Sequence, residues 1–125
     1  MASKKSAEGV NLAGRRALVT GGGRGIGAAI AVALGSVGAD VAINYRRDHE
    51  HAEAVAQEIR QAGTRAEIYA AALDDPEALD TMATNVLADF GTIDIFVHSA
   101  GIASSGATVV DTEEVEIERL WRIHA

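Results

Sequence analysis

The sequence has no cysteine, a single proline and few aromatic residues: one tryptophan, two tyrosines and two phenylalanines. Without cysteine there is no disulfide framework, no thiolate nucleophile and no cysteine-based metal site. No apolar run is long enough to cross a bilayer, and the amino-terminal residues lack the apolar core of a signal peptide. We therefore expect a cytoplasmic protein with no membrane partner. The net charge of −7, from 11 basic and 18 acidic residues, also argues against nucleic acid as a partner.

What is present is the composition of an ordinary globular protein, with 48% hydrophobic and 23% charged residues over 125 positions. That length fits one domain with a buried core. A polar beginning predicts a tail over residues 1–11, and residues 12–125 are expected to form the domain. His49 and His51 lie two positions apart on a predicted helix with no third ligand nearby, so no metal site is predicted.

Short apolar segments alternate with segments of helical periodicity along the domain. The pattern predicts strands over 15–20, 40–45, 65–73 and 93–100. It predicts helices over 26–37, from an Asp48 cap to Gly63, from an Asp75 cap to Gly91, and after Asp111. Parallel strands need crossover connections, which the helices supply. We therefore expect an α/β fold in which helices cover both faces of a parallel sheet.

The stretch TGGGRGIG lies between the first predicted strand and the first predicted helix. Its glycines Gly21, Gly25 and Gly27 suit three tasks: a tight turn, the close approach of a phosphate to the backbone, and close packing of helix on sheet. Unpaired amides and the helix dipole favour an anion at that end. Within a strand–helix–strand unit this predicts a dinucleotide site. The alternative is a glycine-rich turn without a ligand.

The end of the second predicted strand bears on the choice of coenzyme. An NAD site usually carries an acid there, which holds the ribose 2′-hydroxyl, whereas this chain has Tyr45, Arg46 and Arg47. Arginines can hold a 2′-phosphate instead, and Arg24 could converge on the same group. We therefore predict NADP(H), with NAD(H) as the second choice. The alternative is that Arg46 and Arg47 are solvated surface charges.

The stretch TGGGRGIG, together with HSAG at residues 98–101, resembles the short-chain dehydrogenase/reductase family from Leu12 onwards. The stretch INYRRD is similar to NADP-preferring members, including the 3-oxoacyl-carrier-protein reductase-like branch. The resemblance implies the amino-terminal half of a Rossmann-like doubly wound sheet, with strand order 3-2-1-4. It also implies hydride transfer between NAD(P) and an alcohol or carbonyl substrate. The predicted coenzyme contacts are Gly21, Gly23, Arg24, Gly25, Ile26, Gly27, Tyr45, Arg46, Arg47, Ala72, Leu73, Ser99, Ala100 and Gly101.

Several positions depart from the family pattern. Ala72 stands where the family has an aspartate near the adenine, and His98 and Ser99 replace a pair of asparagines. The family's catalytic tetrad is Asn, Ser, Tyr and Lys, and the register places His124 at the asparagine. A histidine can also donate or accept a hydrogen bond there; the alternative is a histidine near a frayed chain end. No Tyr-x-x-x-Lys occurs in the 125 residues, so the catalytic tyrosine and lysine are expected outside this chain.

The fourth predicted strand would lie on an open sheet edge, which a second segment or a partner chain must cover. Three explanations stay open. The chain is one part of a reductase whose second half lies elsewhere; it is an NADP-binding half-domain that dimerises without catalysis; or it is an unrelated nucleotide-binding or structural protein on a similar fold. The first explanation implies a small carbonyl or alcohol substrate and a homo-oligomer.

Overall fold

The computed structural model of the chain describes residues 10–99. Four strands and three helices alternate within that range. In chain order they are β1 (Arg16–Thr20), α1 (Gly25–Ser36), β2 (Asp40–Tyr45), α2 (His49–Gln61), β3 (Ala66–Ala70), α3 (Pro76–Phe90) and β4 (Ile95–His98). The predicted helix after Asp111 and most of the predicted tail lie outside the described residues.

The four strands form one parallel sheet in the order β3-β2-β1-β4, which confirms the predicted topology. The register sets Thr20 of β1 opposite His98 of β4, and Tyr45 of β2 opposite Ala70 of β3. The carboxyl ends of all four strands therefore meet at one edge of the sheet. In doubly wound sheets ligands bind at that edge, at the point where the strand order reverses. Here the order reverses between β1 and β4.

Successive residues of each strand face opposite sides of the sheet, and each side has its own apolar cluster. The first cluster packs β1 and β2 against α1 and α2, and it includes Val19, Ala31, Val41, Ile43, Val55 and Ile59. The second packs the same strands against α3, and it includes Leu18, Ala42, Met82, Val86 and Phe90. Helices therefore cover both faces, as the apolar strands predicted.

Aspartates begin two of the helices, as predicted. The Asp48 carboxylate accepts a hydrogen bond from the His51 amide at 3.1 Å. The Asp75 carboxylate accepts from two amides in the first turn of α3, at 3.1 and 3.3 Å. Pro76 takes the first helical position, which needs no amide proton. None of the three helices within residues 10–99 is long and apolar enough to cross a membrane.

Three strands are shorter than the sequence predicted. β1 begins at Arg16 because the Arg15 amide closes a turn on the Leu12 carbonyl at 2.9 Å. β3 ends at Ala70 rather than at 73 because the next carbonyl, that of Ala71, accepts a hydrogen bond from the Asn44 side chain at 3.1 Å instead of extending the strand pairing. β4 spans four residues rather than 93–100. Ile93, the first residue of the predicted strand, instead packs on the second apolar cluster, called here the cluster under α3.

Candidate functional site

The glycine-rich turn joins β1 to α1 at the carboxyl edge of the sheet. Gly21 and Gly25 have φ angles of 67° and 56°, a conformation that residues with a Cβ rarely adopt. Gly27 is required for space instead. A Cβ there would overlap the Gly21 carbonyl oxygen and the Ser99 hydroxyl, and would lie 2.9 Å from the Gly21 carbonyl carbon. The tight turn therefore needs the first two glycines, and close contact between α1 and the sheet edge needs the third.

The end of β4 is fastened to the same turn. The Ser99 amide donates to the Thr20 carbonyl at 3.2 Å, and the Ser99 hydroxyl donates to the same oxygen. The Thr20 hydroxyl is fully buried and lies 2.8 Å from His98 Nδ1. His98 and Ser99 thus join β4 to β1 at the two positions where the sequence departs from an asparagine pair.

The first turn of α1 differs from that of the other two helices because the side chain of its N-cap residue makes no capping hydrogen bond. The residue before the helix is Arg24, in extended conformation, and the first turn contains no acidic residue. The first bond of the helix runs from the Ala28 amide to the Arg24 carbonyl at 3.2 Å. The amides before Ala28 and the positive end of the helix dipole are therefore suited to bind an anion.

Asn44 lies at the junction of the turn, β2 and β3, and is 2% exposed. Its Oδ1 accepts from the Gly21 amide at 3.1 Å. Its Nδ2 donates to the carbonyls of Tyr69 and Ala71 at 3.3 and 3.1 Å. Its main-chain carbonyl accepts from the Gly22 amide at 2.9 Å. Sequence reasoning missed this role, although a polar residue in an otherwise apolar strand was the available signal.

A cleft of about 470 Å³ opens between the turn and the end of β2. Its lining residues are Gly21, Gly23, Arg24, Tyr45, Arg46, Arg47 and Asp48. Three arginines thus share the cleft with one carboxylate, and that carboxylate is engaged in capping α2. Arg46 also lies 3.9 Å from Asp74, with side chains that are 60% and 74% exposed. The cleft therefore combines positive charge with backbone that a ligand can approach closely.

Tyr45, which lines the cleft, contacts a residue of α2 that the sequence did not reveal as its partner. Its hydroxyl lies 2.9 Å from His49 Nδ1, and the two rings meet edge to face with centroids 5.7 Å apart. Because His49 is the first residue of α2, this contact links the end of β2 to the start of that helix.

The structure brings together part of the predicted coenzyme-binding set. Of that set, Gly21, Gly23, Arg24, Tyr45, Arg46 and Arg47 line the cleft, and Gly25, Ile26 and Gly27 form the first turn of α1. Ala72 and Leu73 do not line it, and Leu73 instead packs on the apolar cluster under α3. Ser99 contacts Thr20. The predicted residues Ala100, Gly101 and His124 lie outside the described range. Between residues 10 and 99, no three histidine or acidic side chains are grouped to hold a metal ion.

Comparisons with known proteins agree with this arrangement. A family model described as short chain dehydrogenase matches residues 15–124. A versicolorin reductase of Emericella nidulans is 44% identical over 119 residues, covering 95% of this chain and 45% of that protein. A dehydrogenase/reductase from Sinorhizobium meliloti superposes with a TM-score of 0.74 at 41% identity, covering 94% of this chain and 46% of that one.

A metagenomic short-chain oxidoreductase solved in complex with NADP superposes with a TM-score of 0.65 at 49% identity, covering 69% of this chain and 38% of that one. The chain therefore spans less than half the length of these relatives. Over that span its sequence and its fold match theirs, and it belongs to the short-chain dehydrogenase family.

Proposed function

We propose that this chain forms the NADP(H)-binding half of an oxidoreductase that transfers hydride between the nicotinamide and a carbonyl or alcohol substrate. The observation that carries the proposal is the arginine-lined cleft beside the uncapped first turn of α1. When bound, the coenzyme supplies or accepts the hydride. The residues of this chain bind it, orient it and select its phosphorylated form.

The pyrophosphate is assigned to the turn and the first turn of α1. A phosphate oxygen there can accept hydrogen bonds from backbone amides and gains from the helix dipole. Gly25 keeps the backbone accessible, since it is exposed and carries no side chain above the amides, while Gly27 lets α1 approach the sheet edge. Ile26 is 60% exposed in the same turn and offers an apolar contact to the bound ligand. The capped starts of α2 and α3 offer no comparable site, because Asp48 and Asp75 already occupy theirs.

The 2′-phosphate is assigned to Arg24, Arg46 and Arg47. A hydrogen bond between an arginine and a phosphate contributes about 1.5–3 kcal/mol, roughly a 10- to 150-fold change in affinity. In the part of the chain that the structure describes, Asp48 is the acidic residue that lines the cleft, and its carboxylate already caps α2. Among the described residues, the site therefore offers no free carboxylate at the end of β2 to hold the 2′-hydroxyl of NAD(H).

The remaining chemistry is proposed to come from beyond these residues. A tyrosine and a lysine from a further segment or chain would complete the proton transfer, and His124 would take the position of the family's asparagine. Within residues 10–99, β4 pairs only with β1, and all four of its residues are half-buried. A segment added at that edge would complete the sheet. A homo-oligomer and a cytoplasmic location remain predictions from the sequence.

The coenzyme assignment is tested by calorimetric titration of the full-length protein with NADPH and with NADH. We expect tighter binding of NADPH, and we expect Arg46→Ala to weaken NADPH binding about 10- to 100-fold while leaving NADH binding unchanged. The matched control is Arg15→Ala, which removes the same charge from an exposed position at the opposite end of β1.

Three outcomes separate the parts of the proposal. Equal NADPH affinity in Arg46→Ala and the wild type would remove this arginine from the 2′-phosphate site. Tighter binding of NADH than of NADPH would reverse the coenzyme assignment. An absence of heat with either coenzyme would overturn the function itself. NADPH consumption with a panel of carbonyl compounds, measured on the protein with any completing segment present, then tests hydride transfer.

A further inference from the structure

The two ends of the proposed coenzyme site are joined through Asn44. Residue 44 immediately precedes Tyr45 and Arg46, which line the cleft, and its side chain bonds to Gly21 at the start of the turn. A second bond, from the Gly22 amide to the Asn44 carbonyl, continues the same attachment by one residue. The turn and the end of β2 are therefore held in one fixed relation.

Only a carboxamide satisfies all the groups around this side chain. One acceptor is needed for the Gly21 amide, and two donors are needed for the carbonyls of Tyr69 and Ala71. Asparagine offers this set at this length, whereas an ionised aspartate is acceptor-only and an apolar residue supplies nothing. The position is almost fully buried, so water has little access to replace a missing partner.

We propose that Asn44 is a positioning residue of the coenzyme site. This inference rests on the proposed function. By engaging the amides of Gly21 and Gly22, Asn44 fixes the start of the loop, whose next residues, Gly23 and Arg24, line the cleft. By holding the ends of β2 and β3 together, it fixes the distance between that loop and Arg46. A ligand whose pyrophosphate binds the loop and whose 2′-phosphate binds Arg46 needs the two at a fixed distance. The loss of Asn44 should therefore lower coenzyme affinity and not only the stability of the fold.

The variant Asn44→Asp tests this role because its hydrogen bonding depends on pH. A protonated aspartic acid keeps the acceptor for Gly21 and donates to one of the two carbonyls. The ionised form directs a carboxylate at two carbonyl oxygens and adds negative charge beside the phosphate loop. Burial raises the pKa of an introduced carboxyl, which places the change within the accessible pH range. Among residues 10–99, Asp48 is the acidic side chain that lines the cleft, and the other charged groups lining it are Arg24, Arg46 and Arg47.

We expect the ratio of the NADPH dissociation constant of Asn44→Asp to that of the wild type to be near one at acid pH. It should rise about tenfold as the pH rises through the introduced carboxyl's pKa. Comparison with the wild type at each pH removes the titration of the coenzyme and of all groups that the two proteins share. Amide hydrogen exchange provides a coenzyme-free measurement. The ionised side chain can no longer donate to the Tyr69 and Ala71 carbonyls. In the variant the Ala71 amide, which donates to the Tyr45 carbonyl at 3.0 Å, should therefore exchange faster at high pH than in the wild type, while amides at the centre of α3 should not.

Two matched controls separate positioning from general loss of stability. Asn85→Asp makes the same chemical change on the exposed side of α3. Val86→Ala lowers stability through a cavity in the cluster under α3, away from the cleft. Both should bind NADPH as the wild type does. If Asn44→Asp does not fold, Asn44→Ser gives the same comparison without the added charge, and it should weaken NADPH binding while Val86→Ala does not.

The inference and the proposed function fail differently. A dissociation-constant ratio that does not vary with pH, with NADPH still bound tightly by the wild type, overturns the role of Asn44 alone. The same holds if Val86→Ala weakens binding as much as the Asn44 variants do. If the wild type binds neither coenzyme, the proposed function falls and the positioning role falls with it, whatever the exchange rate of the Ala71 amide.

Discussion

Replacement of Gly27 by alanine tests the close approach of α1 to the sheet edge. The added Cβ would overlap two atoms, the Gly21 carbonyl oxygen and the Ser99 hydroxyl. The Gly21 oxygen belongs to the main chain of a turn that Asn44 holds from the other side. The Ser99 hydroxyl is buried and already bonded to the Thr20 carbonyl. The Gly21 oxygen cannot move through a side-chain rotation, and rotation of the Ser99 hydroxyl would break its bond to the Thr20 carbonyl.

The magnitude follows from two opposing terms. Alanine is favoured over glycine inside a helix by about 1 kcal/mol. Overpacking against a fixed main chain costs about 1–3 kcal/mol, and the overlap with main-chain atoms places this site at the upper end. We expect a net loss of about 1–2 kcal/mol of unfolding free energy. For a domain of this size, each kcal/mol lowers the melting temperature by about 4–8 °C.

The displaced turn should also bind coenzyme less well. Because the Gly21 carbonyl must move, the amides at the start of α1 shift relative to the cleft, and we expect NADPH affinity to fall about tenfold. The assay is thermal unfolding together with calorimetric titration at a temperature where the variant is folded. The matched control is Gly35→Ala on the same helix, where a Cβ would lie 2.7 Å from Ile59 Cγ2. That control should lose stability and keep its NADPH affinity. Wild-type stability and affinity in Gly27→Ala would refute the argument.

Two further predictions concern stability alone. Asp75→Ala should lower the unfolding free energy by about 0.5–2 kcal/mol in urea titration, since two amides of α3 lose their acceptor. Asp75→Asn keeps an acceptor oxygen and should retain most of the stabilisation from the cap. Equal losses of unfolding free energy in both variants would contradict a capping role. Burial, followed by the 2.7 Å hydrogen bond to Asp89, raises the pKa of Tyr69 above its ordinary value near 10. The contribution of Tyr69 to the unfolding free energy is therefore complete below about pH 10 and is lost as the pH rises towards the folded-state pKa. In that range the unfolding free energy of the wild type should fall more steeply with pH than that of Tyr69→Phe. Parallel curves of unfolding free energy against pH would contradict this.

The sequence predicted those features that depend on neighbouring residues. The caps at Asp48 and Asp75 were predictable because each carboxylate bonds amides two or three positions along the chain. Strand order was predictable because the glycine turn and HSAG carry a resemblance to a family with that order. The end of β3 was not, because the bond that draws the Ala71 carbonyl away comes from Asn44 on another strand.

The same distinction holds for the candidate site. Arg46 and Arg47 were predicted as site residues because they follow a buried strand, and the carboxyl ends of parallel strands share an edge. Asn44 and His49 were not, since their partners depend on the register between β2 and β3 and on the angle at which α2 starts. Leu73 packs on the apolar cluster under α3, a contact that the sequence did not reveal, and its assignment to the coenzyme, made from the family resemblance, stays a prediction.

Asp74 is the one charged group that competes for Arg46 in the described structure, and magnitudes decide the competition. The two side chains are 3.9 Å apart and both are mostly exposed. An exposed ion pair of this kind contributes about 0–1 kcal/mol. A charge-assisted hydrogen bond to a phosphate contributes about 1.5–3 kcal/mol, and a phosphate carries more charge than a carboxylate. The pair with Asp74 is therefore too weak to prevent Arg46 from binding a 2′-phosphate.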